Sequence, residues 1–323
     1  MRVHPLFLPA VAIALLAASL HADAATNRAF VASFGNDVNA ATNCTIGMPC
    51  RGFATALAIT NSGGEIVALD SAGYGPVTID RSVSIYGPDG VYAGITVASG
   101  NGVTISTAGV DVVLKGLTIN GVGGANGILM TNGASLRVEN CTVTGFKSAQ
   151  NVAAINVRAL ATVVVSNTTV ANSYVGIVLD GGAHANLSHV KASGATFAGI
   201  ALAGASNATT TAVVSDTMAF DNVLGYGIAV VGQNISVGSF GGCTSCVRKI
   251  SVVNSVASGN SSGMAALGAG ATMNVSTSSA ANNSAFGFDQ SNSAILRSAQ
   301  NNMLADNGVL PVNGVVTTGS LIY

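Results

Sequence analysis

The chain has 323 residues, 8% of them charged and 49% hydrophobic, with 12 Lys and Arg against 13 Asp and Glu for a net charge of −1. That balance excludes the basic stripe of a nucleic-acid binder. The lack of tryptophan and an aromatic share of 5% suit thin, stacked β-structure rather than a globule packed on large rings.

Residues 1–24 read as a signal peptide. Arg2 and His4 precede an apolar run from Leu6 to Leu20, and Ala22-Asp23-Ala24 supplies an A-x-A cleavage pattern. The mature chain is expected to begin near Ala25 and to be secreted or periplasmic, and residues 16–20 contain no cysteine for a lipid anchor. Gly, Ser and Asn break every later apolar run before 18 residues, so no membrane span is expected.

Residues 25–62 read as an N-terminal cap. In NCTIGMPC, Cys44 and Cys50 flank a turn-like segment, and an oxidising compartment favours their disulfide. RGFATALAITNSGG, from Arg51, is the one helical stretch; a short amphipathic helix there would cover the open first coil of the structure that follows.

From 63 to 323 the chain reads as β-coils. GGEIVAL from Gly63, PVTI from Pro76, VSIYG from Val83, AGITV from Ala93 and VVLKGLTING from Val112 are short strands with turn signals. A Gly-Ile-x-Leu motif then returns about every 22–28 residues: GILM from Gly127, GIVL from Gly176, GIAL from Gly199 and GIAV from Gly227, with weaker copies AINV from Ala154, GMAA from Gly263 and GFDQ from Gly287. Such a period marks a solenoid, whose repeats bury their apolar faces only by stacking. Alternation puts Ile128 and Met130, Ile155 and Val157, Ile177 and Leu179, Ile200 and Leu202, Ile228 and Val230 in buried rows and turns the intervening residues outward.

About ten residues later runs a second track, LRVENCTV from Leu136, VVVSNTTV from Val163, ANLSHVKA from Ala185 and AVVSDTMA from Ala212. It aligns Asn140, Asn167, His189, Asp216 and Asn254 at a bend, where short polar side chains bond the backbone. Cys141 aligns with Thr168, Val190, Thr217, Ser255 and Ser278, an inward column in which a buried cysteine is a small hydrophobe. Helical repeats lack their 10-residue pattern here, and an outer-membrane barrel lacks its long strands and aromatic girdles. About nine coils of parallel β-helix remain, a rod on the order of 40 Å long at ~4.8 Å per coil.

RAFVASFGNDVNAATNC…PCRGFATALAITNSGGEIVAL, followed by coils of the GIxL…VxNxTV type, resembles secreted bacterial right-handed parallel β-helix proteins of the pectin-lyase-like superfamily. The resemblance spans essentially the whole mature chain, and right-handedness rests on it. It implies activity on acidic polysaccharide along the outward face of the first strand track, with calcium-binding carboxylates and an Arg or Lys base in lyases, or clustered Asp in hydrolases.

Those chemistries need several oxygen ligands, or two carboxyls at a matched separation. The outward face reads Leu129/Thr131, Asn156/Arg158, Val178/Asp180, Ala201/Ala203, Ala229/Val231 and Ala265/Leu267, then Asp289. Only Asn156, Arg158 and Asp180 form a polar cluster, no two carboxylates stack on adjacent coils, and NTD and GHG strings are missing. Arg158 and Asp180 are expected to pair across one coil; in an enzyme, Arg158 would be the base and Asp180 a ligand of calcium. No metal site or cofactor is otherwise expected, and His184 and His189 face opposite ways on a strand. A loop insertion near 233–249 carries CTSC, in which Cys243 and Cys246 are expected to form a staple, with Arg248 and Lys249 at its base. Ligand-binding candidates are therefore Asn156, Arg158, Asp180, Arg248 and Lys249. The expected function is a non-catalytic glycan-binding or surface-interaction module, partnered by a polysaccharide or cell-surface glycan. The alternatives are a lyase or glycoside hydrolase on acidic polysaccharide, and a structural stalk or adhesin.

Overall fold

The computed structural model describes residues 25–149, 152–235 and 242–318. The expected signal peptide and the 236–241 part of the loop insertion lie outside the described residues. Each coil lays one strand in each of three sheets, as Asn126–Met130, Ser135–Glu139 and Thr142–Thr144 do before Ala153–Val157 opens the next coil. Among the described residues the sheets hold twelve, ten and nine strands, all paired in parallel, which makes a solenoid of about ten turns. That is one turn more than the motif counts. Leu310–Asn313 and Val316–Thr318 continue the pairing, on Phe286–Ser291 and Ile295–Ser298, after Gly-Ile-x-Leu has faded.

The buried ladder has the predicted register. Ile128, Ile155, Ile177, Ile200, Ile228, Met264 and Phe288 pair in succession through the ten-stranded sheet. All are buried, and each side chain of this size removed from water contributes about 1.5–3 kcal/mol. Corners are set by the polar column: Asn140, Asn167, His189, Asp216 and Asn254 all take left-handed backbone, φ 47° to 53°. A Cβ is strained there, and Asn and Asp offset the strain with local hydrogen bonds. Just past this corner the inward column is a hydroxyl ladder. Thr217 N donates to Ser255 Oγ at 3.2 Å and Ser255 N to Ser278 Oγ at 3.1 Å. At the next corner Asn222, Asn260, Asn283 and Asn307 form an amide ladder, each Nδ2 donating to the next Oδ1 at 2.8–3.0 Å.

The N-terminal end is closed as the sequence suggests. Helix Phe53–Ile59 buries Phe53, Ala56, Leu57 and Ile59 and ends where Thr60 turns extended. Strand Thr26–Val31 joins the twelve-stranded sheet beside Thr60–Ala68, and Cys44 is bonded to Cys50. No helix among the described residues is long and apolar enough to cross a membrane.

One expectation is corrected. Seven of the outward residues along the ten-stranded sheet do not face water: Val178, Ala201, Ala203, Ala229, Val231, Ala265 and Leu267 are buried in a second apolar cluster. Tyr174, Phe197, Tyr226 and Ile235 pack against it, with the Phe197 ring 6.2 Å from Tyr174 and 5.6 Å from Tyr226.

Candidate functional site

The outward polar cluster lies on two adjacent strands of the ten-stranded sheet. Ala153–Val157 and Val175–Leu179 pair with Asn156 opposite Val178 and Val157 opposite Leu179, so Arg158 and Asp180 follow as neighbours on successive turns. Arg158 is exposed, and its Nε donates to Asn156 Oδ1 at 3.1 Å. Asn156 is fully buried. Its Nδ2 donates to Asn126 Oδ1 at 3.0 Å, and Asn126 Nδ2 donates to Asn101 Oδ1 at 2.9 Å. A buried amide must find such partners, and here the chain of amides holds the Arg158 guanidinium at the surface.

The expected Arg158–Asp180 ion pair is not the one formed. Asp180 Oδ1 accepts from Arg248 Nη2 at 2.9 Å, and Asp180 Oδ2 from Ser206 N at 3.1 Å. Arg248 is fully buried and also donates to Gly204 O, Val231 O and Cys243 Sγ at 2.6–3.3 Å. The reason is geometric. Arg248 is the second residue of strand Val247–Val253, on its buried side, where its long side chain reaches the Asp180 turn and satisfies the buried carboxylate more completely than an exposed Arg158 would. Gly204 makes room: at φ 155° its absent Cβ would sit 2.0 Å from Asp180 Oδ2. Disulfide Cys243–Cys246 is present, and Asn207 Oδ1 accepts from Thr244 N and Ser245 N at 3.0 and 3.1 Å. The 204–208 turn and the insertion are thus bound to one another through Arg248 and Asn207.

Lys249 has a different fate. Alternation turns it to the outer face of the twelve-stranded sheet, in register with Thr211 and Thr272. There it lines a shallow groove of about 350 Å³ with Thr162, His184, Asn186, Thr211 and Ser251. His184 Nδ1 lies 2.8 Å from Thr211 Oγ1. The groove offers an ammonium, an imidazole, an amide and hydroxyls on one face.

These residues do not fit a calcium centre. Asp180 already faces a guanidinium, and no three His, Cys, Asp or Glu converge among the described residues, whereas calcium takes six to eight oxygens. Asp289, the next outward carboxylate, accepts from Asn313 Nδ2 at 2.8 Å and lies four strands from Asp180. That is about 19 Å at the inter-strand spacing, well beyond the roughly 5–9.5 Å between paired glycosidase carboxyls. Cys141 is buried beneath Thr168, and burial pushes its thiol up to about 11, the opposite of an activated nucleophile.

A family model described as the right-handed β-helix region matches residues 35–212 and 101–244. No curated protein sequence matches the chain. Among solved structures, the crystal structure of pectate lyase Pel9A superposes with a TM-score of 0.56 at 15% identity, covering 90% of this chain and 82% of that one. At that identity the likeness is one of fold.

Proposed function

The chain belongs to the right-handed β-helix family, and on that footing we propose that it is a secreted or periplasmic, non-catalytic module that binds glycans. The observation that carries this reading is the buried Arg248–Asp180 pair. It takes the carboxylate best placed to act beside Arg158 and turns it into a structural anchor, so what remains on the surface is hydrogen-bonding capacity rather than acid–base chemistry. Arg158 at one face and the Lys249 groove at another supply donors suited to sugar hydroxyls and carboxylates. A polysaccharide partner agrees with the fold's likeness to a pectate lyase, and two disulfides agree with an oxidising setting.

Screening the full chain on a broad glycan array tests this. Binding is expected, and Lys249→Ala or Arg158→Ala is expected to weaken it; no binding to any glycan would refute the reading. Incubation with polyuronides and neutral glycans, with and without calcium, is expected to release neither unsaturated nor reducing ends. Release of either would establish an enzyme instead.

A further inference from the structure

At the N-terminal end of the twelve-stranded sheet, four neighbouring strands set a second surface. Thr26–Val31, Thr60–Ala68, Val83–Tyr86 and Asp111–Lys115 pair so that Phe30, Val67, Tyr86 and Lys115 follow one another in a single outward row. Arg28 and Glu65 are opposite each other two residues upstream and form an ion pair. The turn after Tyr86 raises Pro88 and Asp89 beside this row, and together these residues line a cleft of about 430 Å³, within the size range of small-ligand sites.

The chemistry of the lining is specific. Phe30, Val67 and Tyr86 make a half-buried apolar floor two strand spacings long, about 10 Å. Charge around it balances, with Arg28 and Lys115 against Glu65 and Asp89. An anionic ligand would meet two carboxylates and a cation two guanidinium or ammonium groups, whereas a neutral ligand loses nothing to either. Donors and acceptors lie on both sides of an aromatic floor. A pyranose meets both demands, laying its C–H face on the rings and its hydroxyls against the charged groups.

We propose that this cleft binds a neutral oligosaccharide through stacking on Tyr86 and Phe30 and hydrogen bonds to Arg28, Glu65 and Asp89. This deepens the glycan-binding reading and rests on it. On the same sheet Lys249 lies five strands from Lys115 at the cleft's edge, about 24 Å, so the two surfaces can be separated by mutation.

Calorimetric titration of the full chain with cellohexaose and mannohexaose as neutral probes, and hexagalacturonate as the acidic one, tests the proposal. At least one neutral probe is expected to bind, Tyr86→Ala to weaken it about tenfold and Tyr86→Phe to leave it nearly intact. Asp89→Ala, in an exposed turn outside the core, is expected to weaken it about fivefold and decides the matter if Tyr86→Ala does not fold. The proposal is overturned if neither neutral probe binds, if hexagalacturonate alone binds here, or if folded Tyr86→Ala and Asp89→Ala bind like the unaltered chain. Glycan binding lost with Lys249→Ala but untouched by Tyr86→Ala would overturn this cleft and keep the broader function. Failure of every glycan to bind would overturn both.

Discussion

Arg248 Nη2 lies 2.9 Å from Asp180 Oδ1 across 68 residues of sequence, with side-chain exposures of 0% and 9%. The pair joins the first residues of strand Val247–Val253 to the turn that follows Val175–Leu179. Bonds from the same guanidinium to Gly204 O and Val231 O bring in the turns on either side. A solenoid coil ends wherever its strands end, and its insertions have no intrinsic reason to fold back. Here a buried cation, together with Asn207, supplies that reason.

Removing one member of this pair should therefore be far worse than removing both. Arg248→Ala or Asp180→Ala leaves a buried charge without its partner and is expected to cost about 3–5 kcal/mol. The double variant Asp180→Leu with Arg248→Met replaces charge by apolar volume and should lose less than either single change. Chemical denaturation of the three variants measures this, and additive losses would show that the two residues do not act as a pair.

The Asn ladder makes a second energetic claim. Asn260 Oδ1 accepts from both the backbone N and Nδ2 of Asn222, and its own Nδ2 donates to Ala219 O and Asn283 Oδ1. Asn260→Ala strands several buried groups at once and should destabilise the chain by about 2–4 kcal/mol. Asn307→Ala, at the less buried end of the same ladder, should cost less. Equal losses in thermal or denaturant unfolding would mean that the ladder bonds do not carry the effect.

The corners and the buried Ile column were legible in the sequence because each depends on a local rule repeated at a fixed period. Asn167 or Asp216 needs only its own backbone to explain it, and Ile177 needs only the coil on each side. The partner of Asp180 was not legible for the opposite reason. Register puts Arg158 next to it, whereas Arg248 reaches it through an insertion that breaks the period, and Gly204 is the one local sign that a side chain crowds the turn. Alternation also told which side of a strand Val178 and Ala201 occupy, but not that water is excluded from that side. The apolar floor of Phe30, Val67 and Tyr86 was not legible because its residues lie in the least regular coils, where no motif aligns them.

Thr277 occupies the corner column at φ 49°, where a β-branched residue is strained and Asn is not. Its neighbours in the column are Asn254 at φ 47° and Asp216 at φ 51°. Thr277→Asn should therefore stabilise the chain by about 1 kcal/mol. Thr277→Val, which keeps the branch and loses the hydroxyl that accepts from Asn301 Nδ2 at 3.2 Å, should destabilise it. The midpoints of denaturant unfolding decide, and a stabilising Val or a destabilising Asn would refute the account.

Cys141 gives the chain a pH dependence of known sign. Burial raises its thiol from the model-compound value of 9.0 to about 11, so between those values the folded state keeps a proton that the unfolded state has released. Its contribution is complete below about pH 8.5 and is lost as pH climbs through 11, on the order of 2–3 kcal/mol in all. Cys141→Ser isolates this effect without disturbing the corner. Ser255 and Ser278 occupy the same column, and each hydroxyl donates to the carbonyl two residues back, as the Cys141 thiol does to Glu139 O at 3.3 Å. The variant should fold normally and show a shallower fall in stability between pH 9 and 11 than the unaltered chain. The native thiol should also resist alkylation at pH 8 until the chain unfolds. Parallel stability curves for the two proteins, or rapid alkylation of the folded chain, would show that the thiol is not buried as described.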